Sequence, residues 1–259
     1  MLSKNKQKQI QGLIQKKNRV KNCSFIAEGD KLIVEALHSK FRIKTLLAND
    51  LFLSDQSSEL LKNSEEIIPI SDKELQQISF LKTHQNALAV IEIPKESPVL
   101  ISSEFPLSLG LDQIQDPGNL GTIIRLADWF GIEHIFCNTG TTDCYSPKVV
   151  QASMGAIFRI QIHYVDFMKF LPIINDHQFP VYGTFLEGEN IYQQPLSNNG
   201  LLILGNEGNG ISAAVAAMIN NKLHIPSFST KGTHAESLNV ATATAICCSE
   251  FKRRRLKLL

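Results

Sequence analysis

The chain lacks several features that define large classes of protein. No run of apolar residues approaches the length of a membrane-spanning helix, and the opening residues, which include Lys4 and Lys6, do not resemble a secretory signal. The five cysteines form no Cys-x-x-Cys pair, and their odd number and scatter argue against a disulfide framework. We therefore expect a cytoplasmic protein with reduced thiols and no membrane contact.

Signatures of metal and nucleotide binding are also missing. His134 and Cys137 are three residues apart, but no second pair of ligands accompanies them, so no metal is expected. The glycine-rich segment at residues 204–212 lacks the Lys-Ser/Thr ending of a phosphate-binding P-loop and the Gly-x-Gly-x-x-Gly spacing of a dinucleotide site. Taken alone, that segment is either a different kind of ligand loop or merely a turn.

Acidic residues are absent before Glu28, whereas lysines and an arginine are frequent there, and the C-terminus is also basic. Such ends are typical of contact with a phosphate backbone. The alternative is that they form a solvated helix face and a frayed tail. The candidate contacts with such a backbone are Lys16, Lys17, Arg19, Arg253 and Arg254.

The pattern of apolar residues predicts two α/β domains. Residues 1–95 read as a small domain with a polar helix over 3–18, a strand over 25–27 and a capping box that starts at Ser71. Residues 96–106 form a linker that contains prolines and serines. In residues 107–259 strands and helices alternate, which is typical of a parallel sheet covered by helices. There we expect Asn119 and Ser237 to cap helices.

Three segments of the second half indicate a function. Residues 119–127 contain Asn119 and Arg125, residues 204–212 contain Glu207 among glycines, and Ile225-Pro226 is followed by residues 237–240. In order and residue type they resemble the three signature motifs of the SpoU/TrmH RNA ribose methyltransferases, in the SPOUT superfamily. Residues 25–36 resemble the N-terminal substrate-binding domain of many such enzymes, whose fold is like that of certain RNA-binding ribosomal proteins.

The resemblance implies a C-terminal α/β trefoil-knot domain with a parallel sheet, preceded by a small ribosomal-protein-like RNA-binding domain. It implies S-adenosylmethionine as cofactor, a homodimer, and methyl transfer to a ribose 2′-hydroxyl of RNA, with rRNA favoured over tRNA. The catalytic residues that it implies are Arg125, Asn119, Glu207, Ser237 and Asn239. The cofactor-binding residues that it implies are Leu204, Gly205, Gly210, Ile225, Pro226 and Leu238.

Some alternatives stay open at this stage. Arginine keeps its proton in proteins, so Arg125 is better suited to hold a phosphate and stabilise a developing alkoxide than to act as a base. Base methylation at a guanine nitrogen and a catalytically silent RNA-binding protein are the competing hypotheses. The loop over residues 227–236 is longer than the family pattern. Trp129 could stack on a base, but its position in a helix favours a role in packing or in a dimer interface. The particular RNA and nucleotide are not predicted.

Overall fold

The computed structural model describes residues 2–95, 105–229 and 236–256. These residues form two compact units, of which the first contains residues 2–95 together with Asp143–Arg159 and the second contains the remainder. A division at a single linker places Asp143–Arg159 in the second domain, whereas its contacts are with the first unit. Most of the predicted linker, and residues 230–235 of the long loop, lie outside the described residues.

The first unit is built on a four-stranded mixed sheet with the order β1-β4-β2-β3. Strand β4 runs antiparallel to both β1 and β2, and β3 is parallel to β2. The elements in chain order are α1 (Lys4–Gly12), α2 (Lys16–Asn22), β1 (Ser24–Glu28), α3 (Asp30–His38), β2 (Ile43–Ala48), α4 (Asp50–Asp55), α5 (Ser58–Leu61), β3 (Ile67–Pro69), α6 (Asp72–Ile78) and β4 (Ala87–Glu92). Its core joins apolar residues of α1 and α6 to those of the strands.

Local sequence explains some of these elements, and one prediction was wrong. The capping box at Ser71 is confirmed. The Ser71 side chain accepts from the Glu74 backbone amide, and the Glu74 carboxylate accepts from the Ser71 backbone amide. The single helix predicted over residues 3–18 is instead two helices, α1 and α2. The helices are separate because the Arg19 guanidinium binds the carbonyl oxygens of Leu13 and Ile14, at 2.8 and 2.7 Å, between them.

The second unit contains a six-stranded sheet in which every described pairing is parallel, with the order β10-β8-β9-β5-β6-β7. This confirms the parallel sheet that the sequence predicts. The elements of the second half in chain order are β5 (Ser108–Leu111), α7 (Pro117–Trp129), β6 (His134–Asn138), α8 (Pro147–Ala152), β7 (Gln161–Val165), α9 (Phe167–Asp176), β8 (Val181–Asn190), β9 (Leu201–Leu204), α10 (Ala213–Ala216), β10 (Asn221–His224) and α11 (Val240–Leu256).

The strand order positions the functional segments. Strands β5 and β9 are neighbours, and the chain leaves β5 toward β6 and β7 on one side while β8 lies on the other side of β9. In open parallel sheets, ligands bind outside the carboxyl ends of the strands at such a switch point. The segments that follow β5 and β9 are the first and second of the three motifs, so both motifs lie at this edge of the sheet.

The segment Asp143–Arg159 carries α8 and a short 3₁₀ helix, Ala156–Phe158, and belongs to the first unit. The Asp143 carboxylate accepts hydrogen bonds from the Arg19 guanidinium at 3.0 and 2.6 Å. The ring of Tyr145 lies 4.7 Å, centroid to centroid, from that of Phe25 in β1. These polar and aromatic contacts attach a distant part of the sequence to the first sheet.

Candidate active site

The turn between β5 and α7 frees the side chain of Asn119. The N-cap of α7 is Asp116, whose Oδ1 accepts from the Asn119 amide at 2.8 Å, and Pro117 begins the helix. The prediction that Asn119 caps this helix is therefore wrong. Because Asp116 satisfies the exposed amide, the Asn119 side chain is available for other contacts.

A chain of hydrogen bonds joins the three motifs within the second unit. Asn119 Nδ2 donates to Glu207 Oε1 at 2.8 Å, and Asn239 Nδ2 donates to Asn119 Oδ1 at 3.0 Å. A carboxylate can only accept, so Glu207 fixes the Asn119 amide with its oxygen toward Asn239. Three of the predicted catalytic residues, taken from segments far apart in the chain, thus form one connected group.

Asn239 also sets the start of the closing helix. Its Oδ1 accepts from the amides of Ala241 and Thr242, at 2.9 and 3.3 Å, in the first turn of α11. The prediction that Ser237 caps this helix is wrong, because Asn239 takes that position. Ser237 is exposed two residues before the cap, so its hydroxyl is left accessible at the approach to α11.

The glycine loop after β9, residues 205–210, is closed by its own backbone. Asn206 and Gly210 exchange amide-to-carbonyl hydrogen bonds, both of 2.9 Å. A side chain at Gly205 would place its Cβ 2.1 Å from the Gly210 carbonyl carbon, and Gly210 has a φ of +68°. Both positions therefore require glycine to form the loop, and the loop presents Glu207 to Asn119.

The glycine at position 208 has a different explanation. An added Cβ there would meet only Asn206 Oδ1 within 4 Å, at 3.5 Å, and its φ is not in the left-handed region. The fold itself does not require glycine at this position. The open space beside Gly208 instead lets a ligand approach the backbone, which fits the predicted cofactor loop.

The other predicted cofactor residues lie at the ends of strands or before a helix. Leu204 is the buried last residue of β9, and Ile225 and Pro226 are partly exposed directly after β10. Leu238 is 49% exposed next to the cap of α11. Exposed apolar side chains beside a glycine-rich backbone suit a ligand with a flat aromatic base and a polar tail, as S-adenosylmethionine has.

Arg125 lies on the exposed side of α7. Asn119, Thr122 and Arg125 are spaced by three residues, so they follow one another along this helix. Arg125 makes no hydrogen bond or ion pair with any residue in the described ranges. Its guanidinium, with donors arranged for a planar anion, is therefore free to bind a phosphate.

Comparison with known proteins identifies the family of this chain. The SpoU rRNA Methylase family matches residues 106–249, which is more than half of the chain. The chain belongs to the SpoU rRNA methylase family. An MRM3-like substrate binding domain matches residues 4–89. A 23S rRNA guanosine 2′-O-methyltransferase of Bacillus subtilis, RlmP, is 33% identical over 232 residues, covering 89% of both proteins.

Solved structures agree over nearly the whole chain. A TrmH-family protein from Porphyromonas gingivalis has a TM-score of 0.89 at 41% identity, covering 98% of this chain and 99% of that one. An rRNA methyltransferase from Sinorhizobium meliloti with bound S-adenosylmethionine has a TM-score of 0.84 at 30% identity, covering 98% of this chain and 96% of that one. These likenesses confirm the predicted fold class of this SpoU-family chain, a knotted α/β methyltransferase domain preceded by a small α/β domain.

The predicted RNA contacts of this SpoU-family chain differ in their surroundings. Lys16 and Lys17 are exposed at the start of α2. Arg19 is only 3% exposed, because Asp143 and two backbone carbonyl oxygens hold its guanidinium. Arg19 is therefore a structural residue, and its prediction as an RNA contact is wrong.

The two C-terminal arginines predicted as RNA contacts, Arg253 and Arg254, bind an acidic residue of α11. Arg253 donates to both carboxylate oxygens of Glu250 at 2.8 Å, and Arg254 donates to Glu250 and to the Ile191 carbonyl oxygen. The hydrogen bonds from Arg253 lower the pKa of the buried Glu250 carboxyl to about 2. Part of the basic character of this end is thus neutralised within the protein.

Sequence reasoning missed two buried polar residues at the same edge of the sheet. Asp112, directly after β5, is fully buried, and Asn138, the last residue of β6, is 9% exposed. A hydrogen bond of 2.7 Å joins them. The sequence does contain a signal for these two residues, because each is a polar residue directly at the end of an apolar strand. Functional side chains of parallel sheets tend to lie at that place.

No metal centre is found among the residues that the structure describes, where no three His, Cys, Asp or Glu side chains are arranged to hold an ion. His134 and His163 form a pair, with Nδ1 of the first 3.2 Å from Nε2 of the second. Burial, and secondarily the neighbouring His134, lowers the pKa of His163 to about 4. Among the described helices, none has both the length and the apolar character of a membrane span.

Proposed function

We propose that this protein transfers a methyl group from S-adenosylmethionine to the 2′-hydroxyl of a ribose in rRNA. The observation that carries the proposal is the hydrogen-bonded group of Glu207, Asn119 and Asn239, which joins all three family motifs, with Asn119 on the same helix as Arg125. Its relatives from Bacillus subtilis and Sinorhizobium meliloti are described as rRNA methyltransferases, the first acting on a guanosine 2′-oxygen. The chain is thus an S-adenosylmethionine-dependent RNA methyltransferase.

The residues of the site divide the work as follows. Bound S-adenosylmethionine supplies an activated methyl group, so the protein needs mainly to position the ribose and stabilise charge. The Arg125 guanidinium holds an RNA phosphate through two parallel hydrogen bonds and stabilises the oxyanion that develops on the ribose as the hydroxyl proton passes to water. Glu207 and Asn239 orient the Asn119 amide, and the exposed Ser237 hydroxyl contributes a further polar contact to the substrate.

The cofactor is held by the ends of β9 and β10 and by the approach to α11. Leu204, Gly205 and Gly210 are the proposed cofactor contacts of the glycine loop, and the open space around Gly210, where an added Cβ would meet nothing within 4 Å, supports a close approach of the ligand to the loop backbone. Ile225, Pro226 and Leu238 cover the adenine ring with apolar surface. These roles are proposals that binding measurements on single variants can test.

We propose that the first domain, residues 1–95, also holds RNA, and its match to a substrate binding domain over residues 4–89 supports this proposal. The exposed lysines Lys16 and Lys17 suit contact with a phosphate backbone. We also propose a cytoplasmic location, where reducing conditions agree with five free cysteines, four of them buried.

A homodimer is the proposed assembly. Trp129, at the end of α7, is 82% exposed, and tryptophan is among the residues that most often anchor protein interfaces. The neighbouring Phe130 lines a groove of about 640 Å³ together with Tyr192 and Ile246, and Ser249, Glu250 and Arg253 of α11 add polar groups to its lining. An exposed tryptophan beside a groove with apolar and polar lining is the kind of surface on which a second copy can dock.

The test uses the purified full-length protein, S-adenosylmethionine with a labelled methyl group, and total RNA, which contains both rRNA and tRNA, from a strain that lacks the gene. Label in a 2′-O-methylated nucleoside, identified by mass spectrometry, supports the proposal. A methylated base would overturn the assignment to ribose, and label in tRNA alone would overturn the choice of rRNA.

Two variants make that test specific to the site. We expect Glu207→Gln to lower methyl transfer at least tenfold, because the amide of Gln cannot replace both the charge and the fixed polarity of the contact to Asn119. Asn209→Ala, in the same loop, is the matched control and should keep normal turnover. Equal activity of the two variants would remove the hydrogen-bonded group from the mechanism.

A further inference from the structure

Asp112 and Asn138 form a buried polar relay that runs across the carboxyl ends of two strands. The Asp112 carboxylate accepts from Asn138 Nδ2 at 2.7 Å and from the Ser212 amide at 2.8 Å. Asn138 Oδ1 accepts from the Phe167 amide at 3.0 Å. Ser212 caps α10 directly after the glycine loop, and Phe167 is the first residue of α9. The relay therefore ties the ends of β5 and β6 to the starts of two helices.

The relay has a fixed direction. The amides of Ser212 and Phe167 can only donate, so each end of the relay must present an acceptor. The Asp112 carboxylate meets this need at one end and also accepts from Asn138, while the Asn138 oxygen meets it at the other. Among pairs of aspartate and asparagine, a carboxylate at 112 with an amide at 138 is thus one of only two arrangements in which every donor faces an acceptor; the other is their exchange.

A buried carboxylate without a cationic partner is costly, and Asp112 forms no ion pair among the described residues. The Asp112 carboxylate helps to hold the glycine loop in place. The loop's far end is fixed through the Ser212 amide, and its near end is fixed where Asn206 Nδ2 donates to the Gln113 carbonyl oxygen at 2.8 Å. Both acceptors come from consecutive residues after β5, so the loop is anchored to the segment that leads into Asn119.

We propose that Asp112 and Asn138 are positioning residues that hold the glycine loop in the geometry needed to bind S-adenosylmethionine and to present Glu207 to Asn119. The inference rests on the proposed function of that loop. Neither residue touches the cofactor or the substrate. Each acts through the backbone of the loop and of the helix that follows it.

The variants follow from the direction of the relay. In Asp112→Asn, both side chains of the relay are amides, each with one oxygen and one NH₂ group, while the backbone amides of Ser212 and Phe167 both donate. Whichever way either side-chain amide is rotated, one NH₂ group faces another donor. Asn138→Asp places two carboxylates against each other. The double exchange, D112N with N138D, restores every donor–acceptor pair with the same number of atoms and the same charge. Val181→Ala, at the opposite end of the sheet, is the control for a general loss of stability.

Calorimetric titration of each full-length variant with S-adenosylmethionine, and steady-state methyl transfer, are the measurements. We expect Asp112→Asn to weaken cofactor binding at least tenfold, and the double exchange to return it to within about threefold of the wild type. Val181→Ala should lower the melting temperature and leave cofactor affinity unchanged. Unchanged affinity in Asp112→Asn, or an equal loss in the double exchange and the single variant, would overturn the proposal.

Hydrogen exchange of the wild-type protein needs no variant and covers the case in which a single substitution prevents folding. The amides of Ser212 and Phe167 should be protected as strongly as that of Leu204 within β9. Exchange at Ser212 as fast as at the exposed Gly208 would contradict the relay. Failure of the wild type to bind S-adenosylmethionine would instead refute the proposed cofactor site, so the two failures are distinguishable.

Discussion

Replacement of Arg125 by alanine separates catalysis from folding in this protein. The guanidinium is exposed on α7 and has no partner in the described ranges, so its loss removes no internal contact. Alanine is also the best helix former. We therefore expect the free energy of unfolding to change by no more than about 0.5 kcal/mol, as for most surface substitutions.

The effect on methyl transfer should be far larger. Loss of one preorganised donor that stabilises a developing oxyanion typically lowers kcat by about 100- to 1000-fold, or about 3 to 4 kcal/mol. Arg125→Lys keeps the charge but cannot form two parallel hydrogen bonds to a phosphate, so we expect it to recover only part of the loss. The affinity for S-adenosylmethionine should stay within about twofold of the wild type for both variants, because the cofactor residues lie in other segments.

The assay is single-turnover transfer of labelled methyl to rRNA, together with calorimetric binding of the cofactor and thermal unfolding. Lys169→Ala serves as the control, since this lysine is an 87% exposed cation on α9 in the same unit. Turnover of Arg125→Ala above about a tenth of the wild-type rate would refute the catalytic role, since the expected loss is at least about 100-fold. A parallel loss of cofactor binding would show that Arg125 acts in binding rather than in charge stabilisation.

Three further predictions concern stability, pH and assembly. Glu250→Gln should lower the free energy of unfolding, measured in urea titrations at neutral pH, by about 3 kcal/mol, because it breaks the contact with two arginines that holds the pKa of this carboxyl near 2. In the wild type the stabilisation from this contact is lost as pH falls from 4.5 toward 2. Burial lowers the pKa of His163 from 6.5 to about 4, so between these pH values the unfolded chain binds more protons than the folded one. The melting temperature should therefore fall as pH drops from 6.5 to 4, and His163→Phe should make this fall smaller. Trp129→Glu should shift the protein from dimer to monomer in light scattering, because a charge would be buried in the proposed interface.

Each of these has a control in the same chain. Arg253→Ala should cost less stability than Glu250→Gln, since Arg254 still pairs with the carboxylate. Ile162→Val, next to His163 in β7, removes no ionisable group and should leave the pH dependence as it is in the wild type. Met168→Glu, at an exposed position on α9, should leave the assembly unchanged. A reversal within any pair would contradict the corresponding argument.

Interactions between residues that are close in sequence account for much of what the sequence alone predicts. The Ser71 capping box, the apolar strand Leu201–Leu204 and the glycine pattern around Glu207 depend on neighbours within a few residues, so composition and spacing suffice for them. The edge strand β7 was not predicted, since its side chains are only partly buried and it contains no continuous apolar run. The order and type of the motif residues, with the family resemblance, indicated the fold and the enzyme class.

Tertiary structure decided what the side chains do. The sequence alone could not show that Asp116 takes the cap of α7 and so frees Asn119 for Glu207 and Asn239, because those contacts span 88 and 120 residues. Nor could it show that Arg19, in a basic terminus, is buried against Asp143, 124 residues away. The sequence by itself determined the fold class, many of the helices and strands, and the family to which the chain belongs. The packing of distant segments decided which polar groups are exposed for RNA and which are used inside the fold, because hydrogen bonding of a buried group depends on neighbours in space.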